Sequence, residues 1–233
     1  MQINVYSGGA PKEALAMLTP EFEKQTGHTV RYTFAVVSEI QKKLAAGERP
    51  DMVLMPAPAL DALIKAGTLK AQPRPDLGSV GIGVIVREGA ARPDISTAES
   101  FRNALLNARA VVHANPTATP SGAHLAKVKT ELGIADALKD KVTLCNALDG
   151  GVEKITRGEA EIGIYPVSEV IAVKGIALVG LLPPSLQSLI VYGAGVLTDS
   201  TAAESAAAFV EFLAAPANRP CWKDAGFEPA GGP

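Results

Sequence analysis

Asp51-Met52-Val53-Leu54-Met55 is the stretch that decides the fold. So dense an apolar run suits a strand buried on both faces of a parallel sheet, because a sheet with one wet face alternates instead. Just before it, Ile40 and Leu44 recur at helical spacing, Ser38 stands where it can cap that helix, and Gly47 ends it. Thr29–Phe34 alternates like a strand. Earlier still, Ala14, Leu15, Leu18 and Phe22 mark a helix with Pro11 in its first turn and Gly27 after it, and residues 3–6 form a short strand. On the other side, residues 60–67 read as a short helix. Strands alternating with helices predict an α/β fold built on mostly parallel sheets.

The second half repeats the theme. Residues 80–86, 110–113, 141–144, 162–165 and 189–196 read as strands. Residues 100–107, about 120–132, 151–158 and 203–214 read as helices. Crossovers near 79–84 and 190–195 predict two lobes joined by hinge strands. The expected lobes are 1–80 plus 194–233, and 81–193, with a ligand cleft between them.

Composition narrows the function. In the 233 residues, 22 Lys and Arg stand against 24 Asp and Glu, so no field favours nucleic acid or an anionic membrane. A hydrophobic share of 47% with 20% charged residues excludes a disordered chain. Aromatics at 5% exclude a base-stacking platform. Cys145 and Cys221 match no metal spacing, and the three histidines are scattered, so no metal and no cofactor is expected. The most apolar stretch, 175–197, is interrupted by Pro183, Pro184, Ser185, Gln187 and Ser188, whereas a spanning helix needs about 20 apolar residues. Residues 1–6 read as a strand rather than a leader. The expectation is a cytoplasmic chain, or a periplasmic one whose leader has been removed.

Loops 7–11, 36–38, 120–122 and 148–151 share one design: small or polar residues between a strand and a helix. In open α/β sheets ligands sit beyond the carboxyl ends of strands, and helix N-termini offer unpaired N–H groups to anions. The candidate ligand contacts here are Tyr6, Ser7, Gly8, Gly9, Ala10, Val37, Ser38, Asn115, Ser121, Gly122, Leu148, Asp149 and Gly150. Asp149 is either an N-cap or a cleft base. His113 is either a hydrogen-bonded structural residue or a proton shuttle. Tyr6 either packs in the core or reaches the ligand. Lys12 is either a surface lysine or a partner for a carboxylate.

Phe22-Glu23-Lys24-Gln25-Thr26-Gly27, Leu44-Ala45-Ala46-Gly47-Glu48-Arg49-Pro50-Asp51-Met52-Val53, Pro120-Ser121-Gly122, Arg157-Gly158-Glu159-Ala160-Glu161-Ile162-Gly163-Ile164-Tyr165 and Ala225-Gly226-Phe227 carry a resemblance. In this order they resemble the periplasmic molybdate-binding proteins, with the type II solute-binding fold of ABC importers. The resemblance implies ligand positions. The family's first ligand serine corresponds to Ala10, with Ser7 nearby, and its second to Val37, with Ser38 next. Its alanine amide corresponds to Ser121, its valine to Leu148, and its tyrosine to Pro166, with Tyr165 beside it. Two hydroxyl donors are thereby lost. Each hydrogen bond left unmade to a buried oxyanion costs roughly 1–3 kcal/mol.

Ser7-Gly8-Gly9 and Arg87-Glu88-Gly89-Ala90 are also similar to aconitate isomerase, an enzyme on the same scaffold. The expected function is a monomeric solute-binding protein that captures a small anion, an oxyanion or an organic acid, for an importer permease. The alternative is an isomerase that shifts a double bond in a small polycarboxylate, with Asp149, His113 and Glu39 as candidate bases.

Overall fold

The computed structural model describes residues 1–146 and 151–229. Along the chain run β1 (Gln2–Ser7), α1 (Lys12–Thr26), β2 (Thr29–Phe34), α2 (Val37–Ala45), β3 (Met52–Pro56), α3 (Ala57–Lys65) and β4 (Asp76–Val80). Next come β5 (Ile82–Arg87), α4 (Ala98–Asn107), β6 (Val111–Ala114), α5 (Pro120–Glu131), β7 (Val142–Cys145), α6 (Val152–Thr156), β8 (Ile162–Pro166) and β9 (Ile176–Leu181). The chain closes with β10 (Ile190–Val196), α7 (Ala203–Ala214), α8 (Arg219–Asp224) and β11 (Glu228–Pro229).

These elements divide into two units: unit 1 is Met1–Val80 with Ile190–Pro233, and unit 2 is Gly81–Leu189. Residues 80–86, read above as one strand, are two strands in different sheets, parted at Gly81. β10 belongs whole to unit 1, so the second boundary falls after Leu189 rather than after Gly193.

Unit 1 holds a six-stranded sheet in the order β11-β4-β10-β3-β1-β2. β1 is parallel to both β2 and β3, while β10 runs antiparallel to β3 and β4. Every residue of β3 is buried, as its composition requires. Its Val53 and Met55 pack with Ile40 and Leu44 of α2 and Leu60 of α3. A second cluster is aromatic. Phe22 of α1 lies 4.6 Å from Phe209 of α7, ring to ring, and Trp222 lies 5.1 Å from Phe227. Burying each such ring contributes roughly 1.5–3 kcal/mol. Asp51 ties the sheet together: its buried carboxylate accepts from the Asn4 N–H at 2.8 Å and the Ser200 hydroxyl at 2.7 Å.

Unit 2 holds a five-stranded sheet in the order β7-β6-β8-β5-β9. β6 is parallel to β7 and β8, and β5 is antiparallel to β8 and β9. Ile85, Val112, Ile155 and Tyr165 belong to its core. In both units the carboxyl ends of the parallel strands lead into the candidate loops.

Candidate functional site

In unit 1, Ser7 pairs in register with Phe34, so the loops after β1 and β2 lie side by side. The first is stitched down. The Ser7 carbonyl accepts from the Ala35 N–H at 3.1 Å, and the Gly8 N–H donates to the Leu54 carbonyl at 3.0 Å. The buried Ser7 hydroxyl donates to the Gly8 carbonyl at 2.9 Å. Gly8 lies against Tyr192, where a Cβ would stand 3.3 Å from the ring, so a larger residue would press on it. The Gly9 carbonyl accepts from the Lys12 N–H at 3.0 Å, and Ala10 is fully buried.

α1 begins after Pro11 with no side-chain cap. Its first-turn N–H groups therefore have no side-chain acceptor. α2 begins in the same way. Val36 occupies the cap position, and no side chain caps the helix. The expected Ser38 cap is corrected, because Val37 and Ser38 are already the first residues of the helix and lie half-buried. Glu39 stands exposed in that first turn. The Lys12 ammonium lies 6.0 Å from the Phe34 ring centroid, which places one cation beside both loops. Tyr6 is half-buried against the aliphatic core cluster of unit 1, and its hydroxyl donates to Glu48, which also pairs with Lys43 at 3.1 Å. That hydrogen bond, together with burial, pushes the Tyr6 phenol up to about 12.

In unit 2 the third loop follows β6. The Asn115 N–H donates to the Cys145 carbonyl at 2.8 Å, and its side-chain oxygen accepts from the Thr117 N–H at 3.0 Å. Thr119 caps α5. Its hydroxyl oxygen accepts from the Gly122 N–H at 3.1 Å and lies 3.2 Å from the buried Ser121 hydroxyl. The Gly122 amide, a candidate ligand donor, is therefore engaged within the chain. Gly122 has a packing role: a Cβ there would stand 2.5 Å from the Asn115 carbonyl oxygen and 2.6 Å from that of Ala114.

His113 is buried, with both ring nitrogens occupied. Lys129 lies 3.0 Å from Nε2 and can only donate, so Nε2 accepts and Nδ1 carries the proton to the Ala114 carbonyl at 2.8 Å. Burial first, then the Lys129 charge, push the imidazole down to about 4. These contacts fit the hydrogen-bonded structural reading of His113. Tyr165 is a core residue whose hydroxyl is raised well above its ordinary range by burial. Pro166 ends β8 and has no N–H to give. Leu148, Asp149 and Gly150 lie outside the described residues.

The sequence reading missed three participants. Thr119 before Pro120 is a legible cap signal. Tyr192 and Lys129 carry none, because their contacts depend on strands and helices folding back. Among the described residues, no group of three His, Cys, Asp or Glu is placed to hold a metal ion. Within unit 1, the loops offer the N–H groups of two uncapped helix starts with one lysine, an arrangement suited to an anion.

Residues 3–228 match the family model described as bacterial extracellular solute-binding protein. The chain belongs to that family. It is 30% identical to aconitate isomerase from Pseudomonas sp, over 97% of this chain and 87% of that protein. It is 24% identical to the molybdate-binding protein ModA of Escherichia coli strain K12, over 97% of this chain and 88% of that protein. Its fold recurs among solved structures. The periplasmic molybdate-binding protein of Azotobacter vinelandii matches with a TM-score of 0.81 and 19% identity, over 97% of this chain and 98% of that one. The sulfate-binding protein SubI of Mycobacterium tuberculosis H37Rv matches with a TM-score of 0.82 and 18% identity, over 99% of this chain and 88% of that one.

Proposed function

We propose that this chain is an exported solute-binding protein that captures a small organic acid for an ABC importer. The observation that supports it is the pair of uncapped helix starts in unit 1, α1 and α2, on neighbouring strands with Lys12 beside them. Ser38, in the first turn of α2, adds a hydroxyl. A fully dehydrated tetrahedral oxyanion needs hydrogen-bond donors at every one of its oxygens, and Ala10 and Val37 supply only backbone. A carboxylate needs fewer donors and gains from a lysine.

A second reading is favoured by the 30% identity to aconitate isomerase. In that reading the chain converts the acid it holds. A base removes a proton from the carbon next to a carboxylate, the double bond shifts, and the proton returns at the far carbon. Helix N–H groups would stabilise the negative charge that builds on the carboxylate oxygens. With both nitrogens of His113 occupied, Glu39 and Asp149 remain as candidate bases.

A thermal-shift screen tests both readings, with molybdate, tungstate, sulfate, phosphate and a set of di- and tricarboxylates including both aconitate isomers. A ligand at a hundred times its Kd adds about 2.7 kcal/mol, which moves the midpoint measurably. Stabilisation by a carboxylate is expected. Stabilisation by molybdate or tungstate alone overturns the organic-acid reading. Proton NMR of the stabilising mixture then separates holding from conversion.

A further inference from the structure

Unit 2 carries a second concave surface, a groove of about 890 Å3, within the size range of small-molecule sites. It lies at the other end of the sheet from Asn115, Ser121 and Pro166. β5 runs antiparallel to β8, so the carboxyl end of β5 stands beside the amino end of β8. Val86 and Arg87 from the one and Ile162 from the other line the groove. The length of β8, roughly 13 Å at 3.3 Å per residue, separates it from the candidate loops.

Four arginines line this groove, Arg87, Arg92, Arg109 and Arg157, against two carboxylates, Asp94 and Glu161. Both carboxylates are committed. Glu161 accepts from the Arg109 backbone N–H at 2.8 Å and from the Arg109 guanidinium, and these bonds hold it below the usual carboxylate range. Asp94 accepts from the Ser96 N–H at 2.9 Å and is held down by that bond. Arg157 is shared with Glu153 at 3.5 Å and Glu159 at 3.9 Å. Among the described residues, Arg87 and Arg92 have no carboxylate within ion-pair distance. The Arg87 guanidinium lies over Gly158, 3.5 Å from where a side chain would begin, and the small residues Ala104, Ala108 and Ala160 also line the groove. Two guanidinium groups without a carboxylate partner thus line one hollow, and their forked donors suit carboxylate or phosphate oxygens.

We propose that this groove binds a small polyanion, a polycarboxylate or a polyphosphate, through Arg87 and Arg92. The site is independent of the donor loops and stands whether or not their ligand is an organic acid. The test is a titration of the full chain, labelled with nitrogen-15, with citrate and separately with pyrophosphate, using sodium chloride at matched ionic strength as the control. Saturable amide shifts centred on Arg87, Arg92 and Gly158 are expected with at least one of the two. R87A/R92A, two exposed positions, should weaken that response about tenfold or more and leave the thermal midpoint in place. A response to citrate alone assigns carboxylates, and one to pyrophosphate alone assigns phosphates. Three results overturn the proposal: no shifts at these amides, the same shifts with chloride, or unchanged binding in R87A/R92A. Citrate shifts confined to Gly9 and Ser121 belong to the donor loops and count against it as well.

Discussion

His113 and Glu169 sit in the same unit and answer pH in opposite directions. Burial and Lys129 push the His113 imidazole from 6.5 down to about 4. Between those values the unfolded chain binds a proton that the folded chain does not. This contribution is full above pH 6.5 and is lost as pH falls toward 4, by about 3 kcal/mol. Burial pushes the Glu169 carboxyl from 4.5 up to about 7, with the Tyr165 hydroxyl in its field. There the folded chain keeps a proton that the unfolded chain releases, so its contribution is full below pH 4.5 and is lost as pH rises through 7. The two slopes oppose each other between pH 4.5 and 6.5, and the wild-type chain should show a shallow profile there. H113Q should make stability fall with rising pH across this window, and E169Q should make it rise. Urea denaturation over a pH series reads all three, and identical slopes in the two variants would remove the assignment. The sequence placed His113 at a strand end and left its role open. Its partner Lys129 is 16 residues away and meets it only because α5 folds back beside β6.

At the scale of elements, the start of α5 gives a prediction whose sign is diagnostic. Glycine to alanine in a helix ordinarily stabilises by roughly 0.5–1 kcal/mol. At Gly122 the added methyl meets two backbone carbonyls at 2.5 and 2.6 Å, which cannot swing aside as a side chain would. G122A should therefore destabilise the chain by about 1–3 kcal/mol in chemical denaturation. A neutral or stabilised G122A would show that the loop yields. The start of α2 tests the anion reading. An aspartate in place of Val36, already in extended conformation, can cap the helix by accepting the first-turn N–H groups. V36D should keep its helical circular dichroism and bind the anion found in the screen at least tenfold more weakly, measured by calorimetry. Unchanged affinity would mean that α2 is not a donor. Which helices start bare was not legible in the sequence, since Ser38 looked like a cap until the helix was seen to begin at Val37. Apolar strands such as β3 were legible because burial on both faces leaves a local mark. The break at Gly81, the edge strand β9 within the apolar stretch 175–197, and the two-residue β11 leave no such mark, because tertiary pairing defines them.

At the scale of the whole molecule, unit 2 is one uninterrupted segment set into unit 1. The two places where the chain leaves and re-enters unit 1 are neighbours: Val80 of β4 faces Ile190 of the antiparallel β10. Two antiparallel strand ends in register are joined in most hairpins by a two-residue turn, and Asn-Gly is the strongest sequence for it. Replacing residues 81–189 with Asn-Gly should leave unit 1 folded, because its sheet order, its aliphatic cluster and its aromatic cluster draw on no residue from that segment. The single tryptophan reports the outcome, since Trp222 is buried beside Phe227 with its indole N–H donating to the Leu213 carbonyl at 2.9 Å. The shortened chain should show the blue-shifted emission of a buried indole and a cooperative denaturation that shifts it to the red. Red-shifted emission in native buffer would mean that unit 1 needs residues 81–189 in order to fold, and that the two units are one cooperative structure despite their separate sheets.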